Sequence, residues 1–110
     1  MNDERIEKIK SAFAAADDVP AEKKAELLGV LSKLKPAIEN VSQTHAKDAQ
    51  SIARLVEASA HEATRLEKRP ENLRALLQAL KRSVENFEAS HPQLVAFVAE
   101  YSAALSALGI

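Results

Sequence analysis

The stretch "IARLVEASAHEATRLEKRPENLRALLQALKRSVENF", Ile52 to Phe87, decides the fold. Its first half carries Ile52, Leu55, Val56, Ala60, Ala63 and Leu66 at helical spacing. Its second half carries Leu73, Leu77, Leu80, Val84 and Phe87, alternately four and three residues apart. That alternation keeps one face of a helix turned toward a partner, as in a heptad seam. Between the halves stands "EKRPEN", Glu67 to Asn72. Pro70 suits the first residue of a new helix, where a missing N–H is harmless, or the kink of a continuing one. Leu66 lies seven residues before Leu73, so the seam keeps its phase across the proline. The spacing predicts one helix over 48–89, kinked near Pro70. Straight, it would reach about 60 Å at 1.5 Å per residue. An elongated hairpin or an intermolecular coiled coil accounts for such a length better than a compact monomer does.

Upstream, Leu27, Leu31, Leu34, Ile38 and Val41 form a second seam of fours and threes. Pro20 opens this helix, predicted over 20–43, and Pro36 lies inside it. An internal proline removes one hydrogen bond and crowds the preceding turn, at about 3 kcal/mol, so a kink is expected there. A first helix, predicted over 3–16, starts after Asn2 or Asp3 as N-cap, with Ile6, Ile9 and Phe13 on one stripe and Glu4 paired to Lys8. It fades at "AADDVP", where two aspartates and the residue before a proline disfavour helix. The polar run "SQTHAKDAQS", Ser42 to Ser51, is either a break capped by Thr44 or Asp48, or an exposed part of one long helix. A continued seam would place His45 and Asp48 inward, which favours the break.

The chain closes with "FEASHPQLVAFVAEYSAALSALGI". Pro92 pushes His91 out of the helical region, so His91 is the expected N-cap of a last helix over 92–108 and Pro92 its first residue. A rival capping box, Ser90 to Gln93, would need a helical His91. Leu94, Phe97, Tyr101, Leu105 and Leu108 supply the seam. Ala99, Ala103 and Ala107 form a second face small enough for close helix approach. Gly109 and Ile110 read as a Schellman ending, with Ile110 touching Leu105. Seven residues past Pro92 are Leu, Ile, Val or Phe. They favour membrane insertion by about 2–4 kcal/mol, and Glu100 near the middle removes about 3 kcal/mol of that. Packing on protein is the expected fate of this helix.

Composition agrees with an all-helical chain of one domain, residues 1–110. Gly numbers 2, Pro 4 and Cys 0 among 110 residues, and the formal net charge is −1. Helix formers dominate and β-branched residues are too scattered for a sheet. Without cysteine there are no disulfides or thiolate metal sites. A near-neutral charge supplies no global field toward nucleic acid or anionic lipid. "MNDERIEKIK" has no apolar signal region, so the cytoplasm is the expected compartment.

The residues "FEASHPQL" and the closing "LGI" resemble the C-terminus of a small bacterial helical family of unknown function. That family reads Phe-Glu-x-x-His-Pro-x-Leu, then an apolar helix ending Gly-Ile. "RIEKIKSAF" and "VPAEKKAELLGVLSKLKPAIENV" are similar to its opening helical hairpin, and 42–69 resembles an extension. The resemblance implies a small all-helical protein and supplies no activity.

Several residues invite chemistry. Glu88 and His91 form one Glu-x-x-His unit, but di-iron bundles need two such units and further glutamates. "HEATR", His61 to Arg65, begins like a zincin motif and has Arg65 where the second histidine belongs. Glu57 and His61 read as a solvated pair on one helix face. No serine is coupled to a base and acid. Arg65, Lys68, Arg69, Arg74, Lys81 and Arg82 make a basic middle, interleaved with Glu62, Glu67, Glu71 and Glu85, as helix pairing and solvation require. It lacks the aromatics of a nucleic-acid surface. No catalytic, cofactor or metal residue is assigned. The expectation is an all-α, elongated bundle of about four helices with coiled-coil character. Its expected function is that of a non-catalytic, self-associating interaction or scaffolding protein with a further protein partner. The alternative is a peripheral protein that lies on a membrane surface through one helix face.

Overall fold

The computed structural model describes residues 3–109. Among them are five helices: α1 (Asp3–Ala15), α2 (Ala21–Ser42), α3 (Ala46–Ala63), α4 (Pro70–Glu85) and α5 (Pro92–Gly109). The described residues are all-helical apart from turns and connections.

The stretch expected to form one helix over 48–89 is two, α3 and α4, folded back against each other. The reason lies in the six residues between them. The Thr64 hydroxyl donates to the Ala60 carbonyl at 2.9 Å and Lys68 Nζ to the Ala63 carbonyl at 2.6 Å. Side chains thereby satisfy carbonyls that a helix end leaves open. Arg69 stands outside the helical region, with φ −126° and ψ 82°, in line with the bias on a residue before proline, and Pro70 starts α4. Leu66, counted as part of a continuous seam, is 94% exposed.

The overall shape follows. The extents are 38 × 26 × 20 Å and the radius of gyration is 13.0 Å, matching the value of about 13 Å for a compact domain of about 100 residues. An unbroken helix of about 60 Å does not fit, so the elongated bundle of about four helices gives way to a compact one of five. The heptad seams face a shared core: α5 packs on α2, α3 and α4, and α2 packs on α1, α3 and α5.

Within that core the α2 seam holds as read. Leu27, Leu31, Leu34, Ile38 and Val41 are each at most 1% exposed, and α2 continues through Pro36. Ile6, Ile9 and Phe13 of α1 are buried, and α1 ends where "AADDVP" begins to turn. Asn2 as cap lies outside the described residues, while Asp3 opens the helix with its carboxylate held by Lys35 Nζ at 2.6 Å. Arg5 ties α1 to α3 through Glu57 at 2.7 Å. The Ser42–Ser51 run does break, over three residues. His45, with neither a Thr44 nor an Asp48 cap, stands before α3, and its N–H donates to the Val41 carbonyl at 2.8 Å.

Two further expectations shift. Helix α4 ends at Glu85, and tight turns carry the chain through Phe87 to His91, whose N–H donates to the Phe87 carbonyl. His91 lies outside both helices, and Pro92 starts α5. The inward stripe of α5 is Leu94, Val98, Tyr101 and Leu105, with Phe97 and Leu108 only half-buried. Phe97 lies beside α2, with Lys33 Nζ 5.7 Å from its ring centroid. The expected Gly109–Ile110 ending involves Ile110, outside the described residues. No described helix is long and apolar enough to cross a membrane.

Candidate functional site

Helices α4 and α5 meet along inner stripes, and their outer shoulders leave a groove. Arg74, Leu77, Gln78, Lys81 and Val84 line it from α4, and Val95, Val98, Ala99, Ser102 and Ser106 from α5. Each set is one stripe at helical spacing, so the groove follows from two amphipathic helices whose seams are turned to the core. Its volume is about 540 Å³. From Arg74 to Val84 it runs about 15 Å at 1.5 Å per residue, roughly three turns.

The two walls differ. The α4 wall has an exposed cationic rim, Arg74 and Lys81, above buried Leu77 and Val84. No described carboxylate forms an ion pair with either cation, and no carboxylate lines the groove. The α5 wall is small and uncharged. The one acid of helix α5, Glu100, does not line the groove and is held by Lys33 at 3.3 Å. The Ser102 hydroxyl is buried and has no hydrogen-bond partner among the described residues. Such a group loses its hydration without recovering a bond, which is unfavourable until something supplies one.

The basic middle of the sequence is therefore divided. Arg65 pairs with Glu62 at 3.8 Å, and Lys68 with Asp18 at 3.2 Å. Lys68 holds the Asp18 carboxyl below its ordinary range, chiefly by hydrogen bonding to it. Glu67, Glu71 and Glu85 form no ion pair with any described cation, so Arg74 and Lys81 are exposed to solvent without helix pairing. The signal that would have found the groove was the spacing of Arg74, Gln78 and Lys81 along one edge of the Leu73–Val84 seam. The opposing small residues of α5 are Ala99, which belongs to the small face of that helix, and Ser102 and Ser106.

The remaining candidates resolve into structure. His45 and His91 approach Phe87 edge-on, at 5.2 and 5.8 Å between ring centroids. Thr44 Oγ1 lies 2.8 Å from His45 Nδ1 and Ser90 Oγ 3.0 Å from His91 Nδ1. Each imidazole thus sits before a helix, packed on the same ring, which is the part of a corner residue. Glu88 is exposed, and no hydrogen bond links it to His91. Glu57, expected beside His61, instead holds Arg5. His61 lines a shallow cleft of α1 together with Thr64 and the exposed Leu66. One buried polar cluster was not foreseen: Tyr101 donates to the Val56 carbonyl at 2.7 Å, and the buried Ser59 hydroxyl donates to the same oxygen at 2.9 Å. Burial pushes the Tyr101 phenol well above its ordinary range.

No family model matches the chain, and no curated protein or solved structure matches it.

Proposed function

We propose that the protein is a non-catalytic helical interaction or scaffolding protein that docks a protein partner in the α4–α5 groove. The observation that carries the reading is the groove itself: a three-turn apolar floor under two cations with no described counter-charge. Surface cations are ordinarily solvated or paired, but two of them aligned over an apolar floor with small residues opposite fit the recognition of another element. Kinship with the bacterial family that the chain's ends resemble, and a cytoplasmic setting, belong to the same reading.

Self-association was expected because an intermolecular coiled coil was one of two ways, with an elongated hairpin, to accommodate a helix of about 60 Å. With that helix folded into α3 and α4, its length no longer argues for a second copy. The membrane-surface reading has less support. Leu28 and Leu66 are the large apolar residues exposed among the described ones, and they lie on different elements. They do not form the apolar stripe that an interfacial helix buries.

A photo-crosslinking amino acid at Ala99, with a control at exposed Arg54 of α3, tests the proposal in the native cytoplasm. The expected result is a discrete adduct from position 99 and none from 54. Equal labelling at both positions, or none at 99, overturns it. An adduct of twice the chain's mass would show self-association instead. Co-flotation with anionic vesicles, abolished by charge reversal on α4, would move the function to a membrane surface.

A further inference from the structure

We infer that the occupant of the α4–α5 groove is an amphipathic helix of about three to four turns, acidic along one flank only. This rests on the reading of the groove as a docking surface and specifies its partner. Three features of the walls define the occupant.

The first is shape. Two helices flank a trough about three turns long, and a third helix laid between them presents an apolar stripe at the same period as the floor. On the α5 side, Ala99, Ser102 and Ser106 are small enough for the incoming backbone to come close. The second is charge. Arg74 and Lys81 are seven residues apart on one rim, about 10 Å along the axis. Carboxylates two turns apart on one flank of the occupant meet both. The opposite flank meets the α5 wall, where no charged side chain lines the groove, and needs no charge there. The third is the Ser102 hydroxyl, buried without a partner beneath the groove. A polar side chain on the occupant's stripe would satisfy it.

A second copy of this chain fits poorly. Groove laid on groove brings four cations and no carboxylate into one interface. No two carboxylates in the chain stand seven residues apart, so none of its own helices carries the matching flank. A nucleic-acid strand fits no better, since no aromatic side chain lines the groove on which a base would stack.

The test is selection from a displayed library of helix-constrained peptides, run against the full chain and against its Arg74→Glu/Lys81→Glu variant. Both substitutions are at exposed positions, and circular dichroism checks that the variant is folded. Peptides enriched on the wild type should share an apolar stripe with Asp or Glu two turns apart on one flank. They should bind the variant at least about tenfold more weakly, as expected when close charge pairs are reversed. Peptides enriched on the variant should carry Lys or Arg there. Amide shifts on binding should fall on Val95, Val98, Ala99 and Ser102. Peptides that map to the groove without acidic bias, or that bind both proteins alike, overturn this inference and leave the docking surface standing. Shifts away from the groove, or no enrichment on either protein, overturn both. A stable dimer in sedimentation that competes with the peptides identifies the second copy as the occupant and overturns the inference.

Discussion

Helix α5 shows one side to α3 and another to the groove with α4, and the two sides treat polar groups in opposite ways. Toward α3, Tyr101 and Ser59 are both fully buried, and both hydroxyls donate to the Val56 carbonyl. Toward the groove, at the very next residue, the Ser102 hydroxyl is buried and bonded to nothing described, in a groove that Arg74 and Lys81 line with no described counter-ion. Satisfied buried polar groups specify one packing arrangement, and unsatisfied ones are retained at a cost in stability. The first side is built to hold α5 in place. The second has the marks of a surface that another molecule completes.

The largest expected effect tests which residues hold α5 at all. Val98→Asp should abolish folding, since Val98 is 2% exposed and an unpaired carboxylate there has no counter-charge. Phe97→Asp should leave the protein folded. Phe97 is only half-buried, so a carboxylate there keeps contact with water, and the loss should stay at about 1–2 kcal/mol of apolar burial. Circular-dichroism melts with light scattering compare the two. Equal damage would mean that α5 is rotated from the orientation described.

Next in size is the latch itself. Tyr101→Ala removes a fully buried ring and should cost about 3–5 kcal/mol in chemical denaturation. Tyr101→Phe keeps the ring and leaves Ser59 donating to Val56, so about 0.5–1.5 kcal/mol is expected. The phenylalanine variant also separates burial from ionisation. The phenol's pKa is raised in the fold from its ordinary 10.0. A group shifted upward contributes stability that is complete below its unfolded value and is lost as pH rises through the folded one. The wild type should therefore weaken above about pH 10 more steeply than Tyr101→Phe, which has no phenol to ionise. Tyr101 is the one tyrosine in a chain without tryptophan, so its ultraviolet absorbance reads the titration directly. Parallel pH profiles would show that the phenol is reached by water.

The latch and the two prolines show how far the sequence could be read. Pro36 stands between Leu34 and Ile38, and both are buried, so the seam itself carries the helix through. Pro70 has only Leu66 upstream, separated by three charged residues, and the same count of seven suggested the same outcome. It failed because heptad arithmetic does not register local carbonyl satisfaction by Thr64 and Lys68, nor the small residues Ser59, Ala60 and Ala63, which α3 buries in the core. Phe97 and Val98 are adjacent and both apolar, so period alone could not choose the inward one. Tyr101 was placed correctly as a core residue. Its hydroxyl implied a buried acceptor, but the choice of Val56 depends on how α3 and α5 cross. The groove was legible only in parts: Arg74 and Lys81 were seen as basic, while their lack of partners depends on where Glu71 and Glu85 end up in three dimensions.

The smallest effect is the sharpest, because its sign differs between the two sides of α5. Ser102→Ala deletes a hydroxyl that is buried and unpartnered among the described residues. Removing such a group recovers part of its desolvation penalty and opens almost no cavity, so stability should be unchanged or should rise by up to about 1 kcal/mol. The Tyr101→Phe change, also the loss of one hydroxyl from α5, lowers stability. Paired denaturation curves decide between the cases. Should Ser102→Ala destabilise by as much as Tyr101→Phe, then Ser102 is bonded within the folded chain, and the contrast between a completed side and an unfinished one is lost. If it is neutral or stabilising in the free protein and weakens binding of groove-selected peptides, the hydroxyl is held in reserve for the occupant. That pattern, a residue unfavourable for the isolated fold and favourable for the complex, is the trade expected of a binding surface.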